Sequence, residues 1–441
     1  MGVRGASVLV VGAGLAGLAA AWDLHLMGAR VLVIDARDRV GGRVWTVGDA
    51  FVESQHAEAG GDMIDEAHRE IRTLAADVGL TLTRILRHGF GAVRLDRAGR
   101  PRTVHSGARH GWARLAHALA PVIRPYCLAE QRWDSPIASA LARKSVADWL
   151  DEIAADADLR ATADGLRGFF LADPDELSLL ALVDQFAAGD APAPGAMYRI
   201  EGGNDRLPRA LACRLGDRVR LRTELVALSQ RGPGVRATVR DWRGTSTCTG
   251  DYAVITLPLT VLRRIPISPG LPAQQREAIA AVPYGRATKT LLQFRRPFWR
   301  RPGRLRAFGS PLDIGAVWDA NEEQHGPGGI LALLAGGSAS DATAAITRSG
   351  GAAALAGRLQ WLGRDRSELV GSRQAGWTAD RWARGGYAFF PTGFDPALRA
   401  WLARPCGRLF FAGEHTSIRW QGYMNGAVES GRRAAAEIAC A

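Results

Sequence analysis

The chain has 441 residues, of which 47% are hydrophobic and 23% charged, and it carries a net charge of +12. The length exceeds one ordinary domain and the apolar fraction suffices for a sizeable core, so two interleaved domains are expected. The charge is almost all arginine, with Lys144 and Lys289 the only lysines and no long basic block, which excludes a nucleic-acid binder; five scattered cysteines, nine histidines without ligand spacing and no apolar run of transmembrane length exclude a metal centre and a membrane span and point to reduced thiols in the cytoplasm.

The first element is an apolar strand, Val8-Leu9-Val10-Val11. Gly12-Ala13-Gly14-Leu15-Ala16-Gly17 follows, then an Ala/Leu-rich helical pattern to about Met27, then a second apolar run from Val31 to Ile34 ending in Asp35. Strand, glycine turn, helix, strand and acid at this spacing make a dinucleotide-binding βαβ unit. Gly12 serves the tight turn, Gly14 lets a pyrophosphate approach the backbone, and Gly17 lets helix and strand pack closely. The helix N-terminus offers N–H groups and a positive dipole to the phosphates, and Asp35 can accept from ribose hydroxyls. A second glycine pair, Gly41-Gly42, lies where it meets the same pyrophosphate, with Arg37 and Arg43 as nearby cations.

Farther along, Ala57-Glu58-Ala59-Gly60-Gly61-Asp62 leads to a helix ending near Gly79. Alternation from Thr81 to about Pro101 predicts strands, and helical periodicity dominates from about Gly111 to Gly189. The stretch from Asp190 to Gly195 reads as a turn or linker. Glu201-Gly202-Gly203 opens another helix. Val219 to Leu228 reads as one strand, followed by a hairpin around Gly232-Pro233-Gly234. Tyr252 to Pro258 is a buried strand, and Thr288 to Phe294 is a strand that carries Lys289. Residues 304 to 334 read as further strands and Gly351 to Leu362 as a helix. Leu409-Phe410-Phe411-Ala412-Gly413-Glu414 is a strand entering a glycine turn, and a closing helix runs from about Gly426 to Cys440.

With its segments in this order, the chain resembles the flavin-containing amine oxidase family, which includes monoamine and polyamine oxidases. The resemblance spans nearly the whole length and is weakest between about 100 and 195. Its markers are the N-terminal block to Arg43, Glu58-Ala59-Gly60-Gly61, Glu201-Gly202-Gly203, Leu257-Pro258-Leu259, Phe298-Trp299, Phe411-Ala412-Gly413-Glu414, Trp420-Gln421-Gly422-Tyr423 and Gly426-Ala427-Val428-Glu429-Ser430-Gly431. It implies an α/β fold. An FAD-binding Rossmann-like domain (1–80, 200–285 and 405–441) is interleaved with a mixed-sheet substrate domain (81–199, with a helical insert at about 111–189, and 286–404). It also implies the chemistry: hydride leaves the carbon next to an amine nitrogen for flavin N5, the imine hydrolyses, and O₂ reoxidises the flavin to give H₂O₂.

By the same resemblance, Gly60, Gly61, Val226, Trp377, Gly413, Glu414, Tyr423 and Met424 join Gly12, Gly14, Gly17, Asp35, Arg37, Gly42 and Arg43 around the cofactor. A carboxylate beside a phosphate repels it, so Glu414 is expected to bond hydroxyls or backbone N–H groups. Lys289 matches the lysine that holds a water near flavin N5, where a compact ammonium fits and a planar guanidinium does not. Tyr387 and Tyr423 match the two walls of an aromatic cage that holds the substrate nitrogen in line with N5. Some members bind the flavin covalently through a cysteine just before the first of these tyrosines. Gly386 stands there, which implies non-covalent FAD. Met63, Asp65 and Trp420 are placed at the substrate, and Asp62, Asp65 and Glu66 favour a cationic amine over an amino acid. The expected partners are a small amine and O₂, with neither nucleic acid nor membrane; a homodimer is compatible. A flavin-dependent desaturase or dehydrogenase, an L-amino-acid oxidase, and a non-catalytic flavin-bearing interaction protein stay open as alternatives.

Overall fold

Under the N-terminal glycine turn lies a sheet of five parallel strands, seen in a computed structural model that describes residues 3–107, 109–187, 196–230, 232, 234–363 and 368–441. Ser7–Val11 runs through its middle. Arg30–Ile34 and then Val219–Arg220 lie on one side, and Tyr252–Ile255 and then Leu409–Phe411 on the other. Helices or further strands cover both faces, which is why these strands read as unbroken apolar runs. Val8, Val10, Val33 and Val254 share a core with the helices Leu15–Leu26 and Met424–Cys440, while Leu9, Val11, Ala253 and Ile255 face a second core. The two helices touch closely because a Cβ on Gly431 would stand 2.3 Å from the carbonyl oxygen of Ala16.

A seven-stranded mixed sheet forms the second layer, in the order Leu369–Gly376, Ala287–Phe294, Gly329–Gly336, Ala316–Asp319, Ala307–Gly309, Gly91–Leu95, Pro101–His105. Ala287–Phe294 is buried at every position, so Lys289 is carried into the interior on a strand flanked on both sides. The helical insert begins with Gly111–Leu128 and ends with Leu179–Ala187, as the periodicity predicts. A small antiparallel sheet of Ile64–Asp65, Met197–Ile200 and Leu82–Ile85 joins the segment after Gly61 to the strand before Glu201.

Two expectations are corrected. Val219 to Leu228 is not one strand: Val219–Arg220 belongs to the parallel sheet and Glu224–Gln230 to a separate mixed one, and the chain changes sheets through Arg222 at φ +52°. The helix placed at Gly351 to Leu362 starts earlier. It spans Ser338–Gly357 with a break at Gly351, whose φ of +64° no helix accommodates, and only a short 3₁₀ turn, Gln360–Leu362, follows. Glu224–Gln230 and Val235–Asp241 pair as the expected hairpin. Its turn lies partly outside the described residues, as does the whole Asp190–Gly195 linker.

Candidate active site

A cavity of about 830 Å³ runs along the carboxyl end of the parallel sheet and under the mixed sheet. That volume is in the range of cofactor and ligand sites, about 300–1,000 Å³. The first βαβ unit builds one wall. Gly12 turns the chain at φ +110°, and a Cβ on Gly17 would lie 1.9 Å from the Gly12 carbonyl oxygen, so the helix starts directly against the strand. Gly14 faces the opening, where a Cβ would meet no atom within 4 Å, and no side chain caps the helix it starts. The Gly41 N–H donates to Ala13 O at 2.8 Å, which brings Gly42 beside Gly14 on the same wall.

Asp35 closes this cradle. Its carboxylate accepts from the N–H of Ala13 at 2.7 Å and of Arg37 at 2.8 Å. The two arginines expected to meet the pyrophosphate have carboxylate partners. Arg37 is bound through both ends of its guanidinium to Asp380, at 2.6 and 2.9 Å. Arg43 donates to Glu414 at 2.9 Å and to Gly386 O at 2.7 Å. Neither arginine is therefore an uncompensated cation at this wall, where the uncapped helix starts present backbone N–H groups. Glu414 adopts the expected arrangement, since it also accepts from the N–H of Gly422 at 3.0 Å and of Ala388 at 3.3 Å. Gly60, Gly61, Trp377, Gly413 and Met424 line the cavity too. Val226 does not; Thr223, Glu224 and Leu225 take that part of the wall. An open cradle at Gly14, with uncapped helix starts at Leu15 and Met424, fits an elongated dinucleotide.

Lys289, Tyr387 and Tyr423 line the same cavity. The Tyr387 hydroxyl donates to Phe169 O, and its ring lies against Gly422. Tyr423 bonds Gln185, and burial, with Asp65 adding to it, pushes its phenol up to about 12. The two phenols are near enough to act on each other electrostatically. Met63, Trp112, Phe169, Phe170, Leu171 and Leu334 make the neighbouring wall apolar and largely aromatic.

The acids after Gly61 are not free negative charges at this wall, against the expectation. Asp62 is 7% exposed and bound to Lys289 at 2.9 Å and to Arg199 at 2.5 Å. Burial works to raise its pKa, but Arg199 and Lys289 outweigh that and hold it below the ordinary carboxylate value. Asp65 lies on the short strand Ile64–Asp65, caps the following turn by accepting from the Ala67 N–H at 2.8 Å, and does not line the cavity. Glu66 accepts from the Ala196 N–H at the surface. Trp420 also stands back from the cavity, edge-on to His68 and Tyr423.

Sequence reasoning missed Arg199, Trp318 and Glu323. Arg199 comes from one segment and Trp318 and Glu323 from another, and in so arginine-rich a chain nothing marks Arg199 out. Glu58 was noticed only as part of a motif. Buried, it accepts from Thr46 Oγ1 and the Asn204 N–H, and burial, reinforced by Asp62, pushes its pKa up to about 7. The described residues contain no cluster suited to a metal ion, and no helix among them is long and apolar enough to cross a membrane.

Residues 15–439 match the flavin-containing amine oxidoreductase family. AofH of Mycobacterium tuberculosis, provisionally named a flavin-containing monoamine oxidase, is 30% identical over 98% of this chain and 96% of its own length. The canine amine oxidase [flavin-containing] B is 26% identical over 98% of this chain and 85% of its own. Among solved structures, the cyclohexylamine oxidase of Brevibacterium oxydans IH-35A superposes with a TM-score of 0.87 at 28% identity, covering 99% of both chains. An engineered double mutant of putrescine oxidase gives a TM-score of 0.86 at 25% identity, over 99% of this chain and 100% of that one.

Proposed function

Because the chain belongs to the flavin-containing amine oxidoreductase family, we propose that it oxidises a primary or secondary monoamine with a hydrophobic body, using non-covalently bound FAD. The observation that carries this reading is that one cavity is lined both by the dinucleotide cradle and by Lys289, Tyr387 and Tyr423. When bound, a flavin supplies the two-electron acceptor for the C–H next to the nitrogen and a route for those electrons to O₂, giving H₂O₂. The protein's own work is orientation and exclusion of water. Bonds to Phe169 O and to Gln185 fix the two phenol rings, which offer their faces to the amine nitrogen. The product imine hydrolyses in water. Lys289 would hold a water for a bound flavin, and Glu414, neutralised by Arg43, could face the cofactor's phosphates and hydroxyls without repelling them.

The apolar wall of Trp112, Phe169, Phe170 and Leu171 favours an aryl or cycloalkyl body. A diamine would bring a second ammonium to a wall where Asp62 is already matched by two cations. Anaerobic mixing with an arylalkyl or cycloalkyl monoamine should bleach the flavin spectrum faster than a linear diamine or an L-amino acid does. Fast bleaching by the amino acid alone would replace this reading with an amino-acid oxidase, and no bleaching by any amine would replace it with a desaturase or a non-catalytic flavin protein.

Non-covalent attachment is supported by the surroundings of Gly386. A Cβ there would stand 2.3 Å from Leu171 Cδ1 and 2.9 Å from the Ala287 Cβ, so a linking cysteine would require Leu171 and the Ala287 strand to shift. Acid precipitation should leave all the flavin in the supernatant; yellow pellets would defeat this point. Division into a cofactor domain (1–80, 200–285, 405–441) and a substrate domain is part of the same proposal, supported by the origin of the strands in the two large sheets. The free cysteines support a cytoplasmic location.

A further inference from the structure

An ammonium has three N–H donors and no acceptor. In Lys289 one donates to Gly60 O at 3.0 Å and one to Asp62 Oδ2 at 2.9 Å, while the side chain lines the cavity. The indole ring of Trp318 stands 4.8 Å from Nζ, a further contact that favours charge.

Asp62 is itself held on every side. Oδ1 accepts from Arg199 Nε at 2.9 Å and Nη2 at 2.5 Å, and Oδ2 accepts from Lys289 and from Trp318 Nε1, both at 2.9 Å. These four bonds use all the acceptor capacity of a carboxylate, so no site is left for substrate. Arg199 is anchored in turn by Glu323 at 2.6 Å and Ala320 O at 2.9 Å. Half-buried Glu323 and buried Arg199, Asp62 and Lys289 thus form a chain of alternating charge that ends at the cavity. A buried ion pair is weak support for stability, because desolvation offsets its attraction. What such a chain supplies well is a fixed geometry for its last member.

We propose that Asp62 is the positioning residue for Lys289: it aims the remaining donor of the ammonium into the cavity and keeps the group charged. The inference rests on the proposed role of Lys289 beside the flavin. Lys289 sits opposite Leu334 and Ala375 on the flanking strands, so neither neighbour across the sheet brings a charge. Burial acts most strongly on Lys289 and lowers its pKa. Asp62 opposes burial by charge and by hydrogen bond, Glu58 opposes it by charge, and Arg199 adds to it. Removing Asp62 therefore makes Lys289 lose its proton at lower pH.

The chain has only one other lysine, Lys144. Protein labelled with ¹³C-lysine thus gives two Cε resonances, and Lys289→Met identifies that of Lys289. In Asp62→Asn the titration midpoint of Lys289 should fall by roughly one pH unit or more, in the apoprotein and in the flavin-loaded enzyme alike. The alkaline limb of the flavin-reduction rate should move down with it, and the rate at its optimum should drop about 10-fold, the size of one charged hydrogen bond. Asp62→Glu keeps the charge and shifts it by one methylene, so it should hold the midpoint near that of the unaltered protein and still slow reduction; it replaces Asp62→Asn if that variant fails to fold. Adding Asp62→Asn to Lys289→Met should cost no further rate. An unmoved Lys289 titration in Asp62→Asn, or a full additional loss in the double variant, overturns the inference. Normal rates in Lys289→Met would instead overturn the reading of Lys289 on which it rests, whereas a slow Lys289→Met beside a normal Asp62→Asn overturns this inference alone.

Discussion

Lys289→Met is expected to slow the flavin half-reactions by about 10²-fold or more, the usual contribution of a positioned proton donor or acceptor, while FAD content stays close to that of the unaltered protein. Methionine nearly matches the lysine stem in length and removes only the ammonium. Lys289 is 2% exposed, on a strand buried at every position, and its Nζ contacts Gly60 O and Asp62, not the glycine turn that cradles the nucleotide. Asp62 keeps its bonds from Arg199 and Trp318 in the variant, so the carboxylate is not stranded. The stability cost should therefore not exceed that of the two charged hydrogen bonds lost, about 1.5–3 kcal/mol each. Stopped-flow reduction and reoxidation, flavin absorbance per chain and thermal unfolding check the three parts separately. Unchanged rates in both half-reactions would reduce Lys289 to an interior strand residue.

Gly17→Ala and Gly14→Ala should both abolish flavin binding, for different reasons. At Gly17 the new methyl would stand 1.9 Å from the Gly12 carbonyl oxygen and 3.0 Å from Thr256 Oγ1, so the helix must lift from the central strand. Overpacking of this kind costs about 1–3 kcal/mol, and the flavin-free protein should melt correspondingly earlier. At Gly14 the backbone sits at φ −74° and ψ 178°, which alanine adopts freely, and the methyl meets nothing within 4 Å. The flavin-free protein should then be as stable as the unaltered one, yet the methyl occupies the space where the pyrophosphate approaches. Flavin retention in Gly14→Ala would move the phosphates away from this turn. Equal melting of the two flavin-free variants would contradict the tight helix–strand contact.

Legibility followed how local each feature is. The glycine turn, its helix and Asp35 fall within about thirty consecutive residues, and each is required by backbone geometry, so spacing alone carries them. Lys289 stood out by composition, as one of two lysines in a chain that otherwise uses arginine. The paired tyrosines were legible through the motifs around them, and both line the cavity. By contrast, of the acids Asp62, Asp65 and Glu66 the sequence singled out Asp65 for the substrate and gave Asp62 no role of its own, although it is Asp62 that lines the cavity. Strand geometry separates them, because it buries Asp62 beside Lys289 and turns Asp65 toward the Ala67 N–H.

By itself, then, the sequence determined the glycine-turn βαβ unit, the order of the elements, and Lys289, Tyr387 and Tyr423 as residues that line one cavity with it. Only the tertiary structure decided how the charges are matched. Arg37 meets Asp380, Arg43 meets Glu414, and Asp62 meets both Arg199 and Lys289, partners 343, 371, 137 and 227 positions apart in the chain. The physical reason is that a charge leaving water must find a counter-charge in whatever segment packs against it. That segment is chosen by the packing of whole sheets and helices, and no local pattern in a chain with so many arginines encodes it.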